Sequence, residues 1–148
     1  MVETKPSTFF QRRTAGLLLW DGLVDGGGNI SAPKGGTDVW VAKLNAEGLI
    51  LWEKSYGGSD FEEGRKILPL ENGQYMVAGY TSSSDQDVGY NHGSYDAWVF
   101  VIDANGRLLW QRTFGTPQGD SVSDICQLSD GKFVLATNSL IKFVLTLE

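Results

Sequence analysis

A repeat of 58 residues governs what this chain can fold into. Sliding the sequence by that length lays Asp38-Val39-Trp40-Val41 on Asp96-Ala97-Trp98-Val99. It also lays Gly48 on Gly106, Leu51-Trp52 on Leu109-Trp110, Gly57 on Gly115, and Ile67 on Ile125. Between 36–79 and 94–137, 12 of 44 ungapped positions are identical, and many others are conservative, such as Tyr56/Phe114 and Tyr75/Phe133. A fainter copy comes first: Thr14–Leu19 falls on Glu71–Met76 at an offset of 57, which sets Trp20 on Val77. A chain of three copies must bury each one against its neighbour.

Each copy reads as four strands. In the middle copy these are Lys66–Leu70, Gln74–Thr81, Asp96–Ile102 and Arg107–Phe114. The turns Glu71-Asn72-Gly73 and Asp103-Ala104-Asn105-Gly106 join them, with Asn45-Ala46-Glu47-Gly48 repeating the second. Asp or Asn opening such a turn bonds to the backbone, and the closing Gly takes positive φ. Asp96–Ile102 is apolar on both faces, with Trp98, Phe100 and Ile102 on one and Ala97, Val99 and Val101 on the other. A strand of that kind sits in a sheet covered on both sides. The third copy supplies Ser123–Leu128, Lys132–Thr137 and Ile141–Leu147, and no fourth strand. No helix is expected.

Repeated four-stranded antiparallel units of ~40–50 residues are the blades of a β-propeller. A parallel β-helix has shorter rungs and no hairpins. The expected class is therefore all-β, with about three propeller-like blades, the last incomplete. They form a single repeat domain over 1–148, at about 6–57, 64–115 and 122–148. Closed propellers hold ~4–8 blades. A homodimer completing a six-bladed ring, or a place within a longer propeller, is therefore expected.

The segment Gly36-x-Asp38-x-Trp40-Val41-x-Lys43-Leu44-x-x-x-Gly48-x-x-x-Trp52-x-Lys54-x-Tyr56-Gly57-Gly58-Ser59 resembles repeats of secreted and surface-anchored bacterial propeller proteins of Bacteroidetes type. Asn72–Ser82 and Asp85-x-Asp87-Val88-x-x-Asn91-His92-Gly93 continue the likeness. It implies an extracellular or cell-surface setting and says little of activity. A more distant similarity, carried by Asp103-x-x-Gly106-x-x-x-Trp110-x-x-x-x-Gly115, is to quinoprotein-like propellers. No counterpart of a quinone site accompanies it, and no cofactor is expected beyond Ca²⁺.

Charge and composition narrow the function. A net charge of −6 argues against a nucleic-acid partner, which calls for basic patches. No apolar run is long enough to span a membrane. One cysteine and one histidine leave no disulfide framework and no His-rich metal site. Gln11-Arg12-Arg13 precedes only six apolar residues before Asp21, too few for a twin-arginine export core. Gly26-Gly27-Gly28 lacks the strand-to-helix setting of a phosphate loop.

The candidate residues divide into two groups. Asp38, Trp40, Gly48 and Trp52, with Asp96, Trp98, Gly106 and Trp110, recur and are expected to be structural. The tryptophans should wedge between blades, and the aspartates should fix the start of a strand. The long loop Ser82–Tyr95 and the junction Gly57–Gly64 share the opposite end from the tight turns and are the expected working face. Asp60, Glu62, Asp85, Asp87, Tyr90, Asn91 and His92 are the expected ligand contacts there. Asp85 and Asp87 are also the expected Ca²⁺ ligands, since calcium favours flexible, oxygen-rich loops. Glu62 and Glu63, with Asp60 nearby, offer the paired carboxylates that glycoside hydrolysis needs. No nucleophile is marked beside His92, so catalytic residues are not assigned. The expected function is a non-enzymatic binding or scaffold module taking a glycan or a protein. The alternatives are a carbohydrate-active enzyme working through acidic loop residues, and a purely structural blade segment.

Overall fold

A computed structural model describes residues 8–12, 15–22, 34–138 and 143–146. It is all-β and antiparallel, in three successive meanders. The first contains β1 (Thr8–Arg12), β2 (Ala15–Gly22), β3 (Asp38–Asn45) and β4 (Ile50–Tyr56), hydrogen-bonded in that order. The second contains β5 (Glu62–Pro69), β6 (Tyr75–Thr81), β7 (Asp96–Ile102) and β8 (Leu108–Phe114). The third contains β9 (Val122–Gln127), β10 (Phe133–Thr137) and β11 (Phe143–Leu145). Among the described residues the single helical element is a 3₁₀ turn, Glu71–Gly73, and no helix is long and apolar enough to cross a membrane.

The turns follow the chemistry of their sequences. Asn45 Oδ1 accepts the N–H groups of Glu47 and Leu49 at 3.1 and 2.8 Å. Asp103 Oδ1 accepts those of Asn105 and Arg107 at 2.8 and 2.9 Å. Gly48 and Gly106 close these turns at φ 82° and 76°, a region that costs a residue with a Cβ. Each turn is flanked by the same irregularity in its hairpin, a register shift at Lys43/Leu44 and again at Val101/Ile102. The repeat therefore extends to the bulges.

One detail departs from the expected alignment. Trp20 pairs with Trp40, whereas the partner of Trp98 is Gly79. Trp20 thus corresponds to Gly79 and not to Val77. A slip of two residues leaves every side chain on its original face, so the apolar pattern does not register it.

The middle sheet is covered on both faces. Trp98, Phe100 and Ile102 pack with Val77 and Ile67 against Val39, Val41 and Tyr56 of the first sheet. Val99, Val101 and Ala97 pack with Met76 and Ala78 against Val122, Ile125, Phe133, Leu135 and Leu145 of the third. Every residue of β7 is buried, as its two apolar faces require.

The tryptophans take two structural roles. Trp98 is 1% exposed, and its Nε1 donates to Gln111 Oε1 at 3.3 Å. Trp40 repeats the arrangement on Glu53 Oε2 at 2.6 Å. Trp52 crosses from the first sheet to the second, where its Nε1 donates to the Ala104 carbonyl at 3.0 Å. Beside it the Tyr56 hydroxyl donates to the Gly106 carbonyl at 2.6 Å, so the tight turn of one sheet is pinned to its neighbour. Trp110 is half-buried against the second core cluster. The side chain of Trp20 lies outside the described residues. Trp98→Ala should cost ~3–5 kcal/mol, read from the denaturant midpoint. An unchanged midpoint would show that the indole is not a core element.

Candidate functional site

Four carboxylates open strands at the end of the sheets opposite the tight turns. Asp38 begins β3, Glu62 begins β5, Asp96 begins β7, and Asp120 lies just before β9. All four are buried, at 0, 0, 0 and 2% exposure. Each accepts the backbone N–H of the residue four positions earlier. The donors are Lys34 to Asp38 at 2.5 Å, Gly58 to Glu62 at 2.8 Å, His92 to Asp96 at 2.9 Å and Thr116 to Asp120 at 2.6 Å. Such charge-assisted bonds are about twice as strong as neutral ones. They are how an ionised oxygen tolerates burial.

The carboxylates work in pairs at each junction between sheets. A Cβ on Gly57 would overlap both Asp38 Oδ1 and Glu62 Oε2, and one on Gly115 would overlap the Asp96 carboxyl. Glycine at these two positions lets the acids close over the backbone. Among the described residues, Asp38 Oδ1 and Asp96 Oδ1 are buried without a hydrogen-bond partner. Burial pushes the Asp38 carboxyl above its ordinary value, an effect the Lys34 N–H and charge partly offset.

The expected ligand contacts fare unequally. Glu62 is enclosed, with Oε1 accepting from Thr81 Oγ1 at 2.6 Å and Oε2 from Gly58, so it is a latch and not a ligand contact. Glu63 lies on the other face of β5, held by Tyr80 Oη and Arg65 Nε at 2.7 Å each. The alternation of a strand therefore separates the paired carboxylates considered for hydrolysis. Asp85 Oδ1 accepts the Ser59 N–H at 2.8 Å. Asp87 Oδ2 accepts the Gly57 N–H at 3.2 Å and pairs with Lys34 Nζ. The two acids tie the long loop to the junction and do not converge. Among the described residues no three or more His, Cys, Asp or Glu side chains are grouped to hold a metal ion. Of the expected calcium ligands, Asp85 Oδ1 is thus engaged by a backbone amide and Asp87 Oδ2 by a backbone amide and a lysine.

Asn91 is also internal to the loop, accepting from Gly93 N at 2.9 Å and donating to the Thr81 carbonyl at 3.3 Å. His92 Nδ1 sits 2.5 Å from Asp96 Oδ2, and its ring meets Tyr90 edge-on at 4.9 Å. Tyr90 is 63% exposed. Asp60 is exposed, and it borders an open cleft of about 660 Å³ between the first and second sheets. Thr37, Ser59, Phe61, Ser82 and Ser94 also line this cleft.

Four of these five lie in the junction and loop expected as the working face, Thr37 lies outside them, and none was singled out as a contact. The available signal was where the repeat fails. Thr37, Ser59, Asp60 and Phe61 correspond to Tyr95, Pro117, Gln118 and Gly119, while the latch residues beside them match. Both sets occupy the same backbone frame. Thr37 bridges Phe61, and Tyr95 bridges Gly119, each in parallel. The aromatic ring has changed sides between the two junctions.

No family model matches the chain. It is 35% identical over 95 residues to the regulatory protein FlaEY of Caulobacter vibrioides, across 60% of this chain and 10% of that protein. The chain thus spans about a tenth of the length of this curated relative.

The raised pKa of Asp38 fixes the sign of a pH effect. Its proton is held more tightly folded than unfolded. The stability this confers is therefore complete below about 3.8 and lost as pH rises through the folded value. Asp38→Asn keeps an oxygen for the Lys34 N–H and removes that loss. The variant should gain on wild type as pH rises from about 4 to about 7, followed by urea unfolding. A pH-independent difference would mean that Asp38 titrates normally.

Proposed function

We propose that the chain is a non-enzymatic binding or scaffold module, a single repeat domain of propeller-like blades within a bacterial secreted or surface protein. One observation carries this reading. The Glu62/Glu63 pair considered for hydrolysis is engaged in the fold, and its latch half recurs at the second junction as Asp120. Glu62 and Asp120 hold backbone amides, and Glu63 is held by Tyr80 and Arg65. A general acid or base must instead reach a substrate proton.

The blade assignment rests on three antiparallel meanders stacked face to face, with the tight turn of one pinned by Trp52 and Tyr56 of the preceding one. The bacterial setting rests on the resemblance of the repeat and on the similarity to a stretch of a bacterial regulatory protein. Among the described residues β11 pairs with β10 alone, whereas β3 and β7 each pair with a further strand. A strand from a longer chain or from a second copy would complete that third sheet, which fits assembly into a ring.

A panel of chromogenic glycosides should show no turnover by the purified chain. Turnover that disappears in Asp60→Asn would overturn the non-enzymatic reading. If copies of this chain close a ring between them, light scattering should give a multiple of 16.2 kDa, the dimer foremost. A cooperatively folding monomer would refute closure between copies.

A further inference from the structure

We propose that the cleft beside Phe61 is a binding site for a neutral, hydroxyl-rich ligand, an oligosaccharide. The inference rests on the reading of this chain as a binding module and names what it binds.

The cleft has the two elements that sugar recognition uses: an aromatic face for the C–H side of a pyranose, and oxygen groups for its hydroxyls. Phe61 is 43% exposed. It is stacked on Tyr80 with centroids 6.0 Å apart and planes at 22°. Tyr80 is itself backed by Tyr95 at 5.2 Å and covered by the Arg65 guanidinium at 5.2 Å. Burial and the hydrogen bond to Glu63 push the Tyr80 phenol up to about 12, so it remains a neutral donor that fixes the stack.

The polar side is supplied by the hydroxyls of Thr37, Ser59, Ser82 and Ser94 and by the Asp60 carboxylate. None of these side chains is engaged by another described residue, in contrast to the acids of the neighbouring latches. A carboxylate accepts from two adjacent sugar hydroxyls at once. Among the described residues no lysine or arginine lines the cleft, and the chain carries a net charge of −6, so phosphate and sulfate esters are disfavoured.

The backbone beneath is already fixed. The Asp60 carbonyl accepts from Gly36 N and Thr37 N at 2.8 and 3.1 Å, and the Phe61 carbonyl accepts from Ser82 N at 2.8 Å. Asp60 N donates to Ser83 Oγ at 2.9 Å. A ligand would therefore meet a surface that needs little ordering. The second junction shows that the fold does not demand these groups. There Gly119 replaces Phe61, and Tyr95 lies against that glycine. The same frame stands without the platform.

The test is calorimetry of the full chain with cellohexaose, laminarihexaose, xylohexaose and chitohexaose, with release of reducing ends assayed in the same samples. At least one oligomer should bind, and Phe61→Ala should weaken it about tenfold. Phe61→Trp should restore binding, and Leu49→Ala, exposed at the tight-turn end, should leave it unchanged. Absence of binding by all four, or equal binding by Phe61→Ala, overturns the assignment and leaves the scaffold reading standing. Binding accompanied by release of reducing ends keeps the cleft as a sugar site and overturns the non-enzymatic reading.

Discussion

Everything at the loop end depends on carboxylates placed where a loop becomes a strand. Asp38, Glu62, Asp96 and Asp120 each hold the N–H four residues back. A buried acid without such a bond would cost several kcal/mol. Placed here it closes a short polar bend and sets the angle at which the strand enters its sheet. The glycines at Gly57 and Gly115 are the complement of this arrangement, since a side chain at either would collide with the acid. Acid and glycine form one device, built twice.

The opposite end is held by different chemistry. There the tight turn at Asp103–Gly106 offers carbonyls, and Trp52, Lys43 and Tyr56 of the preceding sheet donate to them. Between the two ends lies an apolar layer in which Trp98 and Phe100 sit 4.4 Å apart. Ion–amide latches, an apolar middle and a hydrogen-bonded turn thus fasten neighbouring sheets at three heights. Each class of contact fixes a different degree of freedom. The apolar layer sets separation, the pinned turn sets rotation, and the latches set where each loop lies.

The parts of this architecture that repeat were legible in the sequence. Asp96–Ile102 was expected as a doubly buried strand and has those bounds. The turn glycines and the Asn or Asp before them behave as their chemistry dictates. Two matters were not legible. An acidic loop reads the same whether its oxygens face solvent, a metal or backbone amides, so Asp85, Asp87 and Glu62 gave no sign that amides claim them. The alignment of β2 was hidden for a different reason, since a two-residue slip preserves its faces. The cleft could have been found by looking for failure of the repeat. Phe61 against Gly119 and Thr37 against Tyr95 are exchanges that a purely architectural residue would not need.

The latches also bear on where this chain can be divided. Asp38 and Gly57 belong to the first sheet, while Glu62, Asp85 and Asp87 belong to the second and its loop. A cut between Tyr56 and Glu62 would leave half a latch on each piece, with a buried acid suddenly wetted and a tight turn without its indole. The indivisible unit is therefore the junction between two repeats and not the repeat itself. In such a chain cooperativity comes from coupling between neighbours, as in a one-dimensional array. One copy excised at its sheet boundaries would lose the interfaces on both sides. Within this one chain the latch recurs in kind from junction to junction, while the cleft beside it changes in content.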